Sequence, residues 1–410
     1  MDEAPYDYII VGSGIAGLYM GVELLRAKPK ARLAIFERGA EVGGRAYTFH
    51  KDDMQWEAGA GRISKRHTLV LGLMKRYKLT FMPISGAIQY KDTYTSPLQP
   101  SAFEAAIPIF LDTLTGLPAE ELATHTIRQL MTRIHGPSRT ESYLIQFPYR
   151  AETDIMRADM ALDLFRAEMR TSEGYGICKE GLSALTGAMR SDIEARGGTF
   201  FMGHDLVTVA QKGLVEAVFK HEADELRVKA HRCVLAISVD ALRALPPFKN
   251  WSVKLRMTPL LRFYGVFPPQ EDGKQWYEEY GRVVTSTPIR HIIPSGGAVQ
   301  MSYTEGEDAM IWIDKINAVG EKKVGEEILG ELRKLLKPSI PAPTFVRAHV
   351  WEHAVTYWLP GNYDPVVCSK EAMTPLKSMP AVHVCGESFS LRQGWLEGAV
   401  EHAAQLLRKL

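Results

Sequence analysis

The apolar positions near the N-terminus change their spacing twice along the chain. Residues 6–11 form a short continuous apolar run, which is typical of a buried strand. A run with helical spacing follows through Ile15, Leu18, Val22 and Leu25, and Pro29 closes it. Residues 32–36 are again a short apolar run, and Glu37 follows it. The pattern predicts a strand, a helix and a second strand, the unit from which parallel sheets are built.

Later stretches continue this alternation of strands and helices. Residues 175–181 precede a run of helical spacing through Leu185, Met189 and Ile193. Residues 205–210 alternate between apolar and polar side chains, as a half-buried strand does. Residues 232–237 and 381–385 are apolar runs that predict two buried strands. Together these segments predict an α/β, Rossmann-like domain.

Two blocks of different character interrupt that domain. An apolar stripe that begins at residues 68–74 leads into stretches rich in Ala, Leu, Met, Arg and Glu, which favour helices. Residues 260–267 and 299–303 are strand-like instead. We therefore predict an α/β domain made of residues 1–70, 172–255 and 375–410, with a discontinuous α+β domain made of residues 71–171 and 256–374.

Composition limits the possible partners. A chain of 410 residues with 46% hydrophobic content can bury a large core and form two domains. Lys and Arg total 49 against 48 Asp and Glu, so charge indicates neither nucleic acid nor an anionic membrane as a partner. Residues 1–5 are acidic and lead directly into a strand, and no apolar run approaches about 18 residues. We expect a cytoplasmic protein whose scattered cysteines (Cys178, Cys233, Cys368 and Cys385) are reduced, buried thiols.

The turn between the first strand and helix carries the pattern Gly-x-Gly-x-x-Gly. Gly12 permits a tight turn, Gly14 lets the backbone approach a pyrophosphate, and Gly17 lets the helix pack closely on the strand. The free amides at the helix start, around Ile15 and Ala16, then face the phosphate charge. Glu37 lies where a carboxylate can accept hydrogen bonds from an adenosine ribose. A glycine turn of purely structural role is the alternative, but the full register favours a dinucleotide site.

A second close-approach turn, Gly43-Gly44-Arg45, follows six residues after Glu37. Its guanidinium can form a forked contact with phosphate oxygens, and a nicotinamide enzyme has no need of such a turn. Small residues recur in Gly59-Ala60-Gly61, where they leave room for a flat group. Near the C-terminus, Gly386 and Glu387 follow a predicted strand, and residues 393–399 open a last helix.

In these segments the chain resembles the flavin-dependent amine oxidase family, which includes monoamine, polyamine and L-amino-acid oxidases. The matching pieces lie at both termini, whereas residues 90–170 carry no motif of the family. The resemblance implies bound FAD and a backbone contact between Val207 and adenine. The implied cofactor-binding residues are Gly12, Gly14, Ile15, Ala16, Gly17, Glu37, Arg38, Gly44, Arg45, Gly59, Ala60, Gly61, Arg62, Val207, Gly386, Glu387, Gly394, Trp395 and Ala399.

The C-terminal pieces have specific implied roles. A helix that begins at Trp395 would point its free amides at the negative charge of a reduced flavin. Glu387 would accept hydrogen bonds from ribityl or ribose-side hydroxyls of the cofactor, with a helix-cap carboxylate that binds no ligand as the alternative. The resemblance implies that Ala399, in the same predicted last helix, also contacts the cofactor.

The resemblance also implies an aromatic cage, because an amine must be held neutral and flat above the flavin, away from water. Trp395 corresponds to one wall, and Tyr357 or Trp358 to the other, in a segment that ends in aromatic-x-Pro-Gly. Aromatic residues that only fill a core are the alternative for all three. His349 and His353 do not indicate a metal, because residues four apart on a strand do not converge.

Arg62 bears most on the substrate class. It ends the pattern Glu-x-Gly-x-x-Arg, whose arginine grips the substrate carboxylate in the amino-acid oxidase branch of the family. Forked geometry suits arginine to that role. A contact of Arg62 with the flavin or with a backbone carbonyl remains open.

Two departures from the family qualify the comparison. Arg262 stands where a lysine linked to oxygen reactivity is expected, so either it holds the same charge or the alignment is shifted. No cysteine lies just before Tyr357, the place from which monoamine oxidases attach FAD covalently, so we expect non-covalent FAD.

We therefore expect an FAD-dependent oxidase of an amine or L-amino acid, with Arg62, Arg262, Tyr357, Trp358 and Trp395 at the reacting centre. Hydride leaves the carbon that bears nitrogen, the imine hydrolyses, and oxygen is reduced to peroxide. A related desaturase or isomerase would instead have a wide apolar tunnel without an aromatic pair. A non-enzymatic flavin scaffold would have a blocked cage. The exact substrate, the natural electron acceptor and the oligomeric state stay open.

Overall fold

The computed structural model describes residues 4–169, 174–249, 251 and 254–410. Within these residues the strands, in chain order, are β1 Tyr6–Val11, β2 Leu33–Glu37, β3 Thr48–Lys51, β4 Met54–Glu57, β5 Ile63–Ser64, β6 Phe81–Ile84, β7 Gln89–Tyr90, β8 Gln99–Pro100, β9 Tyr175–Cys178, β10 Thr199–Met202, β11 Asp205–Lys212, β12 Leu214–His221, β13 Asp224–Leu235, β14 Leu255–Val266, β15 Val283–Val284, β16 His291–Ser295, β17 Ala298–Glu305, β18 Phe345–Trp358 and β19 Val382–Val384.

The helices alternate with these strands and also form a separate block. They are α1 Ile15–Ala27, α2 Thr68–Arg76, α3 Phe103–Thr115, α4 Ala119–Thr124, α5 Ile127–His135, α6 Pro137–Leu144, α7 Arg150–Asp154, α8 Ala158–Leu164, α9 Leu182–Ala195, α10 Val239–Ala244, α11 Glu307–Val319, α12 Glu321–Leu335, α13 Pro365–Ala372 and α14 Leu396–Leu407. A π-helical turn at Phe165–Met169 continues α8, and 3-10 turns lie at Pro246–Phe248 and Glu387–Phe389.

The first sheet has the order β10-β2-β1-β13-β12-β11, with β19 also paired to β13. Its strands β10, β2, β1, β13 and β19 run parallel, whereas β12 and β11 are antiparallel. Both faces of the sheet are covered. Ile10 belongs to the core beneath α1, α9 and α14, and its neighbour Ile9 belongs to the core on the other face. Burial on both faces explains why the strand is a continuous apolar run.

The second sheet has the order β18-β14-β17-β16-β15-β7-β8 and is antiparallel except for the β15–β7 pair. Helices α11 and α12 pack on one face. The helical block from α3 to α8 contributes to a core that includes Leu260, Tyr303, Tyr357 and Trp395. The predicted α/β fold with an additional α+β part is therefore confirmed, and the helical block covers one end of the later site.

The predicted segments form the strands and helices that the sequence pattern indicated. The runs at 6–11, 205–210 and 299–303 lie in β1, β11 and β17, and the helices predicted after residues 12–14 and 181 are α1 and α9. The domain boundaries themselves stay a prediction. The boundary between residues 171 and 172 lies outside the described residues, as do Met1–Glu3 of the acidic N-terminus.

Two further expectations concern bulk properties. None of the helices in the described ranges combines the length and the apolar character that a bilayer crossing requires. The four cysteines are free thiols; Cys178, Cys233 and Cys385 are buried, whereas Cys368 is half-buried.

Candidate functional site

The cofactor end of the site begins at the first glycine turn. Gly12 has a φ of +97°, a conformation that suits glycine. A Cβ on Gly17 would lie 2.0 Å from the carbonyl oxygen of Gly12, whereas one on Gly14 would have no protein atom within 4 Å. Gly17 thus allows the close approach of helix and strand, and Gly14 borders open space at the N-terminus of α1. The unsatisfied amides of Ile15 and Ala16 begin that helix beside the space.

Glu37 lies at the carboxyl end of β2, beside this turn. Its Oε2 accepts hydrogen bonds from the amide and the hydroxyl of Ser13, at 2.8 and 2.9 Å, and its Oε1 accepts one from the amide of Gly39 at 2.8 Å. Arg38 follows it and is exposed. The carboxylate is therefore held beside the first glycine turn by protein groups, and its contact with a ribose stays a prediction.

Val207 lies apart from the glycine turns, on the edge strand β11. The pairing of β11 with β12 is shifted between Leu206 and Thr208, so Val207 is a bulged residue outside the regular ladder. Its side chain is 43% exposed. A bulge leaves backbone groups unpaired, which is compatible with the predicted backbone contact to adenine.

The second glycine turn joins the N- and C-terminal parts of the site. Gly43 and Gly44 have φ values of +108° and +56°. The guanidinium of Arg45 donates a hydrogen bond to Glu387 Oε2 at 2.9 Å and another to the carbonyl oxygen of Ala354. Arg45 and Glu387, predicted separately as cofactor ligands, therefore form an ion pair in the same cavity.

Glu387 is buried and accepts several further hydrogen bonds. The donors are the amide and hydroxyl of Thr356, at 3.2 and 3.1 Å, and the amide of Gly394 at 3.0 Å. Trp395 caps α14, which begins at Leu396. Glu387 therefore fixes the turn from which α14 starts, and it fulfils a structural role whether or not a ligand hydroxyl also reaches it.

The small residues at 59–61 pack along the second glycine turn. The amide of Ala60 donates to the carbonyl oxygen of Arg45 at 2.8 Å. A Cβ on Gly59 would lie 2.1 Å from that same oxygen, and one on Gly61 would lie 3.4 Å from Nη1 of Arg262. Side chains at these positions would push the segment off its neighbours, which explains the run of small residues.

A single cavity joins these pieces. It extends from Gly14 and Arg45 to Tyr357 and Trp395, with Gly59, Ala60, Gly61, Gly386, Gly394 and Ala399 also on its wall, and its empty space of about 1250 Å³ includes the open mouth. One continuous space therefore connects the glycine turns with the aromatic residues.

Of the predicted aromatic walls, the structure brings two to the cavity. Tyr357 and Trp395 line it, and both are largely buried. Trp358 points away from the cavity into the core on one face of the first sheet, where its amide donates to Gln393 Oε1 at 2.8 Å and its indole to the carbonyl oxygen of Ser390 at 3.0 Å. Neighbouring residues of a strand face opposite sides, so only one of the pair can serve as a wall. Tyr357 is that residue.

Arg62 lies at the substrate end, among aromatic rings. Its guanidinium carbon is 4.5 Å from the ring centre of Tyr149, 5.4 Å from that of Tyr175 and 5.6 Å from that of Trp395. Within the described residues it has no hydrogen-bond or ion-pair partner, although it lines the cavity. A hydrogen bond from Arg62 to a backbone carbonyl, the alternative role, is not seen in the part of the chain that the structure describes. The forked donors of Arg62 are thus available to a ligand.

Two carboxyl groups that the sequence analysis did not single out share this end of the cavity. Glu152 lies on α7 and Glu305 ends β17, and both are buried. Glu305 Oε1 accepts a hydrogen bond from the amide of Ala151 at 2.9 Å, whereas Glu152 Oε2 has no partner among the described residues. Burial raises the pKa of Glu305 to about 7 and that of Glu152 well above its usual value. Tyr149 and Tyr303 complete this wall and were likewise not predicted.

Arg262 projects from β14 into the cavity between the two ends. Its Nη1 donates to the carbonyl oxygen of Glu57 at 3.0 Å, and its guanidinium lies 5.4 Å from the ring centre of Tyr303. Arg262 therefore brings a half-buried positive charge to the cavity, and its correspondence to the lysine of the family stays a prediction.

His67 and Glu168 form a buried hydrogen-bonded pair next to Trp395. The ring of Trp395 is stacked on Tyr175, with centres 5.9 Å apart, and meets the edge of His67 at 4.9 Å. The amide of Ser64 donates to His67 Nδ1, which leaves Nε2 as the donor to Glu168 at 3.2 Å. Glu168 lies in the π-helical turn, a type of distortion that is frequent at functional sites. This support holds the tryptophan ring in one orientation.

The two histidines that the sequence analysis rejected as metal ligands contact other protein side chains. His349 Nε2 accepts a hydrogen bond from the indole of Trp56 at 3.0 Å, and His353 pairs with Asp240 at 3.0 Å. Both lie on β18.

Comparison with known proteins agrees with this geometry. The sequence model of the family described as "Flavin containing amine oxidoreductase" matches residues 15–406, nearly the whole chain. The chain belongs to this family. A Bacillus subtilis (strain 168) protein named "Putative L-amino-acid oxidase YobN" is 22% identical to this amine oxidoreductase, over 97% of this chain and 93% of its own length.

Solved structures show the same fold. A single-residue variant of putrescine oxidase matches with a TM-score of 0.76 and 16% identity, covering 99% of this chain and 98% of its own. Wild-type putrescine oxidase bound to putrescine matches with a TM-score of 0.75 and 16% identity, covering 99% of each chain. At this identity the likeness concerns the fold.

The cavity of this amine oxidoreductase fits the flavin that its family requires. Gly14 borders open space where a Cβ would reach into the cavity, and helix amides and Arg45 line the same end. These are the features of an anion-binding cradle, and a phosphate group of a flavin nucleotide has the matching charge.

Proposed function

We propose that this protein is an FAD-dependent oxidase that takes a hydride from the carbon bearing nitrogen of an amine or L-amino acid, with L-amino acids as the better fit. The observation that carries the choice is the unpaired guanidinium of Arg62 in an aromatic-lined cavity. Arg62 is only half-buried but lies among aromatic rings, where a cation without a partner is poorly solvated, and a substrate carboxylate would supply the partner.

For an L-amino acid the reaction balances as follows. Amino acid, water and oxygen give a 2-oxo acid, ammonia and hydrogen peroxide, with one hydride leaving the α-carbon and one proton leaving the nitrogen. FAD, when bound, accepts the hydride and returns two electrons to oxygen. The protein has to place the α-carbon, keep the amine neutral and exclude water.

The residues at the substrate end suit these tasks. Arg62 would hold the carboxylate with forked hydrogen bonds, which fixes the position of the α-carbon. Tyr357 and Trp395 would enclose the amine-bearing carbon between apolar ring faces and exclude water. If the amine enters neutral, no strong side-chain base is needed.

Non-covalent attachment of FAD is part of this proposal. Glycine turns, Glu37, Arg45 and Glu387 would provide the binding contacts, and the residue directly before Tyr357 is Thr356 rather than a cysteine. Acid precipitation should release yellow FAD into the supernatant. A yellow protein pellet would contradict this expectation.

Oxidation of a diamine is the second candidate, because Glu152 and Glu305 offer carboxyl groups to a substrate ammonium. A diamine would, however, leave Arg62 without a counter-charge. A desaturase or isomerase of apolar substrates fits less well, since charged side chains and an aromatic pair line the cavity. A flavin scaffold without activity would require a blocked cage, and this cavity is open between Arg45 and Trp395.

The decisive experiment is anaerobic mixing of the purified yellow holoenzyme with single substrates while the flavin absorbance is followed. L-amino acids should bleach the flavin, and admission of oxygen should restore the colour with formation of peroxide. Bleaching by putrescine or an aralkylamine but by no L-amino acid would assign the diamine or amine reaction instead.

A further inference from the structure

The substrate end of the cavity carries more charge than a neutral amino acid can match. One unpaired guanidinium, that of Arg62, shares the wall with the carboxyl groups of Glu152 and Glu305. A substrate carboxylate would pair with Arg62. The two carboxyl groups would then still lack a cationic partner.

The geometry places the two carboxyl groups together. The amide of Ala151 donates to Glu305 Oε1 at 2.9 Å, so Glu305 touches the same short helix, α7, that carries Glu152. Tyr149 caps α7, and its ring lies 4.5 Å from the guanidinium carbon of Arg62. Neither carboxyl group forms an ion pair with Arg62, although all three line one wall. The carboxyl groups therefore stay available while the arginine faces the aromatic rings.

Burial makes this arrangement costly without a ligand. Glu152 is only 9% exposed, and its Oε2 has no hydrogen-bond partner among the described residues. A buried unpaired carboxylate takes up a proton rather than stay charged, which agrees with the raised pKa of Glu152. A cation delivered by a ligand would stabilise the ionised form instead.

We propose that Glu152 and Glu305 form a subsite for a second, distal cation of the substrate, so that the preferred substrates are L-amino acids with a cationic side chain, such as lysine, ornithine or arginine. This inference rests on the oxidase function proposed above and names its substrate class. Such a substrate has one carboxylate for Arg62 and one side-chain cation for the carboxyl pair.

Two other occupants of the carboxyl pair fit less well. If the pair held the α-ammonium, it would keep the reacting nitrogen charged, whereas hydride loss requires the neutral amine. A diamine could satisfy the carboxyl groups but would bring no anion to Arg62. A substrate that has a carboxylate, a neutral α-amine and a side-chain cation gives a partner both to Arg62 and to the carboxyl pair.

Three compounds of equal chain length separate these possibilities. L-lysine and L-norleucine differ in the distal amino group, and L-lysine and cadaverine differ in the carboxylate. We expect kcat/KM for L-lysine to exceed that for L-norleucine at least tenfold and that for cadaverine at least tenfold. Equilibrium binding to the oxidised holoenzyme, followed by perturbation of the flavin spectrum with oxygen excluded or by calorimetry, should rank the compounds in the same order.

Substitutions then assign the preference to residues. Glu152→Gln and Glu305→Gln keep the shape of a protonated carboxyl group, so the fold and flavin content should remain. Each should reduce the preference for L-lysine over L-norleucine, measured as the ratio of their kcat/KM values, by tenfold or more. Glu307→Gln, at an exposed carboxylate two residues beyond Glu305, is the matched control and should leave the preference unchanged.

The outcomes separate this inference from the oxidase function. Equal kcat/KM and equal affinity for L-lysine and L-norleucine would overturn the subsite while the oxidase function stands. An equal loss with both compounds in the Gln variants would assign the pair to the α-amine and also overturn it. Tighter binding of L-lysine with no flavin reduction by any compound would support the subsite and refute the oxidase.

Discussion

The two ends of the cavity are built by different means. At the cofactor end the backbone sets the shape, through positive φ angles at Gly12 and Gly43 and the missing Cβ of Gly17. At the substrate end the shape and charge come from side chains on elements far apart in the sequence. These side chains are Arg62, Glu152, Glu305, Tyr357 and Trp395. The cofactor end is therefore encoded in short local motifs, whereas the substrate end exists only in the folded chain.

The polar groups at the two ends also differ. Glu37 and Glu387 have hydrogen bonds from the protein itself, and Arg45 pairs with Glu387. Arg62 and Glu152 have no such partners in the described residues. The cofactor end is thus a stable frame before any ligand arrives, whereas the substrate end needs a ligand of opposite charges to satisfy its groups.

The largest effect should come from the backbone contact at the cofactor end. A Cβ in Gly17→Ala would lie 2.0 Å from the carbonyl oxygen of Gly12, so helix and turn must separate. We expect a loss of about 3 kcal/mol or more in the free energy of unfolding, with little bound flavin. Urea unfolding and the flavin-to-protein absorbance ratio measure both.

A helical glycine without neighbours provides the control for that change. A Cβ on Gly187, in α9, would meet no atom within 4 Å. Gly187→Ala should therefore stabilise the protein by up to about 1 kcal/mol through helix propensity. Retention of flavin and stability by Gly17→Ala would contradict the view that the backbone forms this end.

The next effect should come from the charge at the substrate end. In Arg62→Ala a bound carboxylate would stay unpaired in the cavity, which costs about 3 kcal/mol or more. L-amino acids should lose at least a hundredfold in kcat/KM, whereas amines of the same side chain should stay level or improve. Arg62→Lys keeps the charge but not the fork and should fall between. Equal losses for both substrate types would reassign Arg62 to the flavin or to the fold.

Most of the fold could be predicted from the sequence, because its signals are local. The apolar runs of β1, β2 and β13 and the glycines before α1 each specify an element without reference to the rest of the chain. The resemblance to flavin-dependent amine oxidases then indicated how the pieces assemble, and the family match over residues 15–406 confirms it.

The substrate end could be predicted only in part, for physical reasons. Tyr357 and Trp358 could not be told apart, because a shift of one residue in strand register exchanges the faces of a strand. Glu152 and Glu305 gave no signal, since a carboxyl group in a helix or at a strand end is usually solvated. Their burial depends on the packing of α7 against β17, which no local pattern records.

A smaller effect on flavin reduction should distinguish Trp395, which lines the cavity, from Trp358, which lies in the core. Trp395→Ala should slow flavin reduction by one to a few orders of magnitude, on the scale of about 2–4 kcal/mol for lost positioning, while flavin content stays near normal. Trp358→Phe leaves the carbonyl oxygen of Ser390 without its donor and should lower the melting temperature with little change in reduction rate. Rapid-mixing absorbance and thermal unfolding give the two readouts. An unchanged reduction rate in Trp395→Ala would place that ring in the core or at the helix cap.

The smallest predicted effect is a change with pH in the affinity for L-lysine, caused by the titration of a carboxyl group at the substrate end. Burial raises the pKa of Glu305 to about 7. The charged groups that act on it are Arg62, Glu152, Asp154 and Asp308. Below pH 7 the carboxyl group is protonated, so binding of a side-chain cation must displace a proton. Affinity for L-lysine should therefore rise about tenfold from pH 6 to pH 8 through Glu305 alone.

Glu57 also titrates in this range, because burial raises its pKa to about 7. Its effect on binding must therefore be separated from that of Glu305. Unlike Glu305, it is not part of the cavity wall and accepts hydrogen bonds from the amide of Leu182 and the hydroxyl of Thr48. Its titration should affect all substrates alike. The ratio of the dissociation constants of L-lysine and L-norleucine cancels that common effect and leaves the contribution of Glu152 and Glu305. A ratio that stays constant between pH 6 and pH 8 in the wild type, or that changes as strongly in Glu305→Gln as in the wild type, would mean that Glu305 does not meet the substrate cation.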